Sequence, residues 1–440
     1  MPKVSGWGRT IFSESRILHL PLSQIREQEG HVRGAIPRGL GRSYGDSAQN
    51  SGGVIIDCRD IKKLSIDPST GVASVGAGIT IAELELESLR LGYFPFVVPG
   101  TGQITIGGAI ASDIHGKSHH RVGSFCDHVL ELTMILANGD RRTTGPNDKS
   151  DSLFQATVGG LGLTGVVVEA KIQLMKVKSS LLNVSEVRVH NLENMFRVLG
   201  EFDRQFHYTV AWLDLSGDYK GRGVVSGANF AETLGSPISE IKPTSRTQKS
   251  RRFSLQCISK LNLVNRFTVR LFNFIWFHKP LGKKLQYIQD YLHPLDRISN
   301  WNKLYGKYGI VQYQFVIPYS NQHLIHEIIQ KFATNRLNSS LSVLKSFGSQ
   351  SQGLLGFPMR GWTLAIDFSA HIKGLERVLN EIDEMVLSAG GRVYLTKDSR
   401  ISADMVAKMY PNIDSWREAK INSDPESYWK SDQSRRLNLC

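Results

Sequence analysis

The sequence predicts a two-lobed α+β protein, and three observations point to it. At 440 residues the chain exceeds the size at which one core usually stops growing, so two lobes are the starting expectation. Glycine is unevenly spread, with 25 of 41 in the first 176 residues, in short runs between apolar β-branched stretches. Beyond about residue 179 the pattern changes to strand alternation mixed with helical periodicity. The expected organisation is a first lobe over residues 1–178, a second over 179–391 with an antiparallel sheet and flanking helices, and a segment 392–440 that packs back on the first lobe.

The elements follow in order. Val54-Ile55-Ile56-Asp57 and Val72 to Val75 read as short strands between turn residues. Thr80 and Glu83 form a capping-box pattern, and the helix they open, carrying Ile81, Leu84 and Leu89, stops at Gly92. In the second lobe Val311-Gln312-Tyr313-Gln314-Phe315-Val316 alternates as a strand does. His371 to Ala389 reads as a helix ended by Gly390-Gly391.

Composition narrows the classes. With 41% hydrophobic and 21% charged residues, and without repeats or low-complexity stretches, disorder and solenoids are excluded. Cys58, Cys126, Cys257 and Cys440 lack CxxC spacing, which argues against structural zinc or a disulfide scaffold. The adjacent His119 and His120 point apart on most backbones and have no evident partner ligand, so no metal site is expected. The N-terminus lacks the apolar core of a signal peptide and no run of eighteen apolar residues occurs, so a cytoplasmic or peripherally membrane-attached protein is expected.

The net charge of +13 is concentrated: residues 241–289 hold eleven Lys and Arg and no Asp or Glu. Leu261, Val264, Phe267, Leu271, Phe272, Phe274, Ile275, Trp276 and Phe277 lie in the same stretch, a mixture that suits an anionic lipid surface. Nucleic acid would offer lysine the same phosphate, and a solvated face over an ordinary amphipathic helix is the plain alternative. The membrane surface is the reading taken, with no nucleic-acid partner.

The densest motif is Pro37-Arg38-Gly39-Leu40-Gly41-Arg42-Ser43-Tyr44-Gly45-Asp46, where three glycines let backbone N–H groups close on a bulky anion such as pyrophosphate. A Rossmann fingerprint requires its glycines directly after a strand and opening a helix. This loop precedes the strand at Val54, which disfavours NAD by that route. Three more glycine pieces follow: Pro99-Gly100-Thr101, Thr105 to Lys117, and Val158 to Gly165.

This ordered set resembles the FAD domain of the vanillyl-alcohol-oxidase, or PCMH-type, superfamily. Further pieces are similar to the decaprenylphosphoryl-ribose oxidase family, the flavin subunit of a 2′-epimerase: GRSYGD, DIHGKxHH, Gln312 to Pro318, Lys397-Asp398-Ser399-Arg400 and Arg435-Arg436-Leu437. The resemblance implies oxidation of the ribose 2′-hydroxyl of a polyprenyl-phosphate sugar to a ketone, a separate NAD(P)H-dependent reductase completing the epimerisation. Oxidation of a soluble sugar, alditol or aldonolactone is the neighbouring reading, and a non-catalytic basic protein that binds lipid or nucleic acid is the reading from another class.

By the same resemblance FAD is held without a covalent bond, because Tyr44 stands where many relatives carry a flavin-linked histidine. The implied cofactor residues are Pro37, Arg38, Gly39, Leu40, Gly41, Arg42, Ser43, Tyr44, Gly45, Asp46 and Ser47. Gly100, Thr101, Thr105, Ile106, Gly107, Gly108, Ser112, Asp113, Ile114, His115, Val167 and Tyr394 complete that set. Lys397, His115 and Tyr44 are implied as catalytic, with Gln312, Gln314, Lys345, Asp367 and Lys397 facing substrate. A cation at Lys397 favours reduced flavin, and an imidazole at His115 either relays the hydroxyl proton or orients the flavin. Ala365 replaces a family cysteine that reacts with nitroaromatic inhibitors, and Phe277 replaces a common tyrosine.

Overall fold

In the computed structural model, which describes residues 1–19, 33–148, 151–216, 221–232, 264–339 and 341–440, the strands fall into four sheets. A small parallel sheet places Val54–Asp57 between Arg16–Leu18 and Ala35–Arg38. Val54, Ile55 and Ile56 are buried, as an apolar run flanked by parallel partners should be. The glycine loop from Gly39 therefore does leave a strand, Ala35–Arg38, contrary to expectation. It opens no helix, so the structural part of the Rossmann objection that survives is the missing helix.

The next sheet is antiparallel and centres on the long strand Val166–Lys176, between Val129–Ile135 and Val72–Gly76. Against it pack the helix Ile81–Arg90 and the short helix Ile106–Ala111, which carries the glycines of the Thr105–Lys117 motif. The capping box is present: the Thr80 hydroxyl accepts from Glu83 N, and the Glu83 carboxylate accepts from Thr80 N.

The largest sheet has eight strands in the order Lys283–Tyr287, Leu181–Val189, Gly223–Phe230, Tyr208–Leu213, Ser342–Phe347, Gly361–Ser369, Ile310–Ile317 and Arg392–Val393. Its register fixes the chemistry. Gln312 pairs with Asp367, Gln314 with Ala365, and Ala365 in turn with Val343, so these polar and apolar residues share one face of three adjacent strands. The helix expected from His371 begins only at Leu375, because Gly374 at its N-cap adopts a positive φ of 77° that no helix turn can include.

The last residues close on the first lobe. Ala35 N donates to Tyr428 O, Lys430 N donates to Ala35 O, both at 2.9 Å, and Asp432 N donates to Gln49 O at 2.8 Å. Among the described residues no helix is long and apolar enough to cross a membrane, and no group of His, Cys, Asp and Glu is placed to hold a metal ion. Residues 241–263 of the basic segment lie outside the described residues.

Candidate active site

A cavity of about 2140 Å³ runs between the glycine loops and the eight-stranded sheet. Ordinary ligand pockets measure about 300–1,000 Å³, so this one has room for a dinucleotide and a second ligand together. One end is walled by Gly39 to Tyr44, Gly100, Thr105, Gly107 and Gly108, the middle by His115, Tyr394 and Lys397, and the sheet side by Gln312, Gln314, Lys345 and Ala365.

Close approach explains the glycines. A Cβ on Gly39 would overlap the Thr105 side chain, so the first glycine loop lies directly on the Thr105–Lys117 motif. A Cβ on Gly45 would overlap the carbonyl oxygen of Asp398, which brings the loop against the Lys397 turn. Tyr44 N donates to Thr396 O at 3.0 Å across the same junction. Among the described residues the amides of Gly39, Leu40, Gly41, Arg42 and Ser43 have no backbone acceptor. A row of orphan N–H groups on a cavity wall is what an anion such as a pyrophosphate satisfies, and on that test the loop fits FAD.

At the other end three groups form a chain. Gln312 Nε2 donates to Asp367 Oδ1, and Lys397 Nζ donates to Gln312 Oε1. Lys397 Nζ also stands 4.7 Å from the centre of the Tyr44 ring. Burial pulls the Lys397 pKa below its ordinary value, with the Asp367 charge working the other way. Burial likewise pushes the Asp367 carboxyl up, against the Gln312 hydrogen bond and the Lys397 charge. Each group is thereby moved towards neutrality, where proton transfer is easiest.

His115 is packed among Phe347, Phe357 and Tyr394 with ring centres 4.8, 5.6 and 5.1 Å away. Gln314 Nε2 lies 2.9 Å from His115 Nε2 and also donates to Thr363 Oγ1 at 3.1 Å. With Nε2 accepting, the proton sits on Nδ1, which has no partner among the described residues. Burial first, then the charge of Lys345, hold the ring well below its ordinary pKa, so it is neutral at neutral pH.

Of the residues expected in the site, five stand behind the wall. Asp46 turns to Arg436, with oxygen to nitrogen distances of 2.8 and 3.1 Å. Gly45 is occupied by its contact with Asp398. Ile106 is a core residue with no exposed surface. Asp113, at a positive φ of 37°, accepts from Ser124 Oγ at 2.9 Å, Cys126 N at 3.2 Å and Ser351 Oγ, all away from the cavity. Asp367 is buried outside the lining, its Oδ1 accepting from Gln312 Nε2 and its Oδ2 without a partner among the described residues. The other expected residues line the cavity, Val167 and Ser47 included.

Sequence reasoning missed the segment from Ile288 to Tyr305, which carries no motif. Asp296 accepts from Thr101 Oγ1 at 2.6 Å and Gly102 N at 2.8 Å, and Asn302 Nδ2 donates to Trp7 O at 2.7 Å. Buried His293 meets buried Glu85 at 2.6 Å. Burial opposes protonation of His293, but the charge and hydrogen bond of Glu85 outweigh it and raise its pKa. Lys117, quoted within a motif but given no role, donates to the carbonyls of Tyr291 and Leu292 and lines the cavity.

Residues 27–145 match the FAD binding domain family. Decaprenylphosphoryl-beta-D-ribose oxidase of Mycolicibacterium smegmatis is 36% identical over 99% of this chain and 97% of that protein. An uncharacterized Streptomyces coelicolor protein is 34% identical over 82% of this chain and 100% of its own length. Cytokinin dehydrogenase 7 of Oryza sativa is 33% identical, but over only 32% of this chain and 27% of that protein. Fold, cavity and matches together define an FAD-dependent oxidoreductase with a PCMH-type domain. Within that class, the chain belongs to the decaprenylphosphoryl-β-D-ribose oxidase family.

Proposed function

We propose that this enzyme oxidises the 2′-hydroxyl of a polyprenylphosphoryl ribose to a ketone at the Lys397 end of the cavity. The observation that carries the reading is the continuity of one cavity from Lys397 and Gln312, through an apolar stretch at Val210 and Trp212, to Phe272 and Trp276 on the helix Arg266–His278. A soluble pentose needs no such apolar extension; a lipid-linked one does. Bound FAD supplies the acceptor for the hydride that leaves the sugar carbon.

The protein's own groups do the rest. Gln312 and Gln314 offer amides to the ribose hydroxyls. The neutral fraction of Lys397, enlarged by burial, takes the hydroxyl proton and becomes the cation that favours reduced cofactor. His115, with Nε2 engaged by Gln314, has an Nδ1–H that no partner among the described residues takes up, and would orient a bound flavin in preference to acting as a base. Tyr44, its ring under Lys397, would line the site of a flavin held without a covalent bond.

The helix Arg266–His278 gives the enzyme its seat on a bilayer. Phe267 is 86% exposed and Leu271, Phe274 and Ile275 are each at least half exposed. On the opposite face Asn273 Nδ2 donates to Asp214 Oδ1 at 2.8 Å and Ser339 O at 3.0 Å, fixing which side faces out. The ketone then passes to a separate NAD(P)H-dependent reductase.

The test is anaerobic mixing of the purified yellow protein with polyprenylphosphoryl ribose, soluble pentoses and aldonolactones. Bleaching of flavin absorbance should be fastest with the lipid-linked sugar. Faster bleaching by a free pentose or lactone would move the enzyme to the soluble-substrate class.

A further inference from the structure

The cavity wall carries more positive charge than it balances. Its carboxylates each have a partner of their own. Glu83 pairs with Lys62, Glu85 with His293, and Asp290 with Arg297. Glu186 pairs with Lys279 and Lys284, and Asp296 accepts from Thr101 and Gly102. Among the described residues Arg38, Arg42 and Lys397 also lack a carboxylate at ion-pair distance, but Arg38 and Arg42 donate to backbone carbonyls at the glycine-loop end and Lys397 donates to Gln312. That leaves Lys345 and Lys117 on the sheet side. Among the described residues neither has a carboxylate within ion-pair distance, and Lys345 has no hydrogen-bond partner at all, only the Phe347 ring with its centre 6.0 Å from Nζ. Lys117 is met by two carbonyl oxygens and the Tyr291 ring.

Sheet order says where Lys345 stands, and Thr209 N, donating to Lys117 O at 2.8 Å, ties Lys117 to the neighbouring strand Tyr208–Leu213. Gln312 and Gln314 lie on one strand, Ala365 on the next, Lys345 and Val343 on the third, Val210 and Trp212 on the fourth. Strands repeat every ~4.8 Å, so the Lys345 strand is about 10 Å from the glutamines. It lies between the polar end of the cavity and its apolar stretch, at the junction where a lipid-linked sugar carries its head group.

We infer that Lys345 and Lys117 form an anion subsite that receives the phosphate of the substrate, between a sugar held by Gln312 and Gln314 and a lipid chain on Val210 and Trp212. The inference rests on the lipid-phosphate reading above and says which residues recognise the phosphate. The charge state agrees. Burial, then the charges of Lys397 and Lys117, pushes Lys345 down to about 7, and burial brings Lys117 to about 7. An arriving anion favours the charged form of both lysines and offsets their mutual repulsion.

The experiment compares the flavin-loaded protein with Lys345→Met and Lys345→Arg. Anaerobic bleaching is followed against the concentration of polyprenylphosphoryl ribose. Loss of one charged hydrogen bond should raise the half-saturating concentration about 10- to 100-fold in Lys345→Met. The limiting rate should hold, and Lys345→Arg should recover most of the affinity. An unchanged half-saturating concentration, or a loss confined to the limiting rate, overturns the subsite. In parallel, binding of farnesyl phosphate, farnesol and inorganic phosphate to the unsubstituted protein is read from the flavin absorption spectrum. Farnesyl phosphate should bind at least tenfold more tightly than farnesol. Tighter binding than inorganic phosphate would identify a lipid head group as the source, and equal binding a free phosphate. Equal binding of farnesyl phosphate and farnesol would exclude the anion site, whatever the variants do. If farnesyl phosphate is preferred while phosphoryl ribose leaves the flavin unbleached, the subsite stands and the sugar assignment falls.

Discussion

Replacing Arg436 by Ala removes the clamp that joins the two halves of the site. Its guanidinium bridges Asp46 of the glycine loop, at 2.8 and 3.1 Å, and Asp398 beside Lys397, at 2.9 Å, and donates to Ile401 O at 2.7 Å. Asp46 and Asp398 are 3% and 6% exposed. Burial would lower the arginine's pKa, yet the hydrogen bonds and charges of the two aspartates carry it above its ordinary value. Taking one partner from a buried ion pair costs about 3–5 kcal/mol, because the remaining charge stays buried. Arg436 is a quarter exposed, which places the loss near the lower end, about 3 kcal/mol. That strain falls on the loop carrying Gly39 to Ser43 and on the Lys397 turn, and not on a distant surface. FAD titrated into apoprotein, followed by flavin fluorescence, should bind about 10- to 100-fold more weakly. Arg436→Lys should fall between, since it keeps the charge and loses the fork. Removing Asp46 as well should add less than its own effect. Unchanged FAD affinity and melting in Arg436→Ala, or strict additivity with Asp46→Ala, would refute the clamp.

Three further outcomes follow from the same geometry. Lys397→Ala should keep its flavin yet be reduced by substrate at least about 100-fold more slowly, and in the parent enzyme the reduction rate should climb with pH below the ordinary lysine value as neutral Lys397 accumulates; rapid reduction of the variant would remove Lys397 from the chemistry. The His293–Glu85 pair has a raised histidine pKa, so its contribution is fully present below about pH 6.5 and is lost as pH rises through the folded value. The melting gap between parent and Glu85→Gln should shrink with rising pH, and a gap that widens would contradict it. Replacing Phe267, Leu271, Phe274 and Ile275 with Ser should abolish flotation with anionic vesicles while leaving the flavin spectrum intact; undiminished flotation would place the membrane contact elsewhere.

The parts legible in the sequence are those governed by short-range rules. The Thr80–Glu83 box and the Val54 strand depend on spacing within a few residues, and they fold as their spacing dictates. The helix near His371 lost its first turn to the φ of one glycine, a detail that periodicity does not carry. What could not be read were pairings between distant segments. Asp367 looks like a ligand-facing carboxylate in an alternating strand, and only the register opposite Gln312 shows that its Oδ1 accepts from that amide. Asp113 sits inside a glycine motif yet turns inward to Ser351, 238 residues away. The segment Ile288 to Tyr305 matters because Asp296 and His293 find Thr101 and Glu85, and nothing in its own composition announces those partners.

The most direct measurement of the central claim is a single anaerobic turnover with polyprenylphosphoryl ribose carrying deuterium at C2′. The account predicts one 2′-ketone per flavin bleached, with bleaching slowed several-fold by the label and unaffected by deuterium at C3′. Bleaching without a 2′-ketone, or slowed only by the label at C3′, would contradict it.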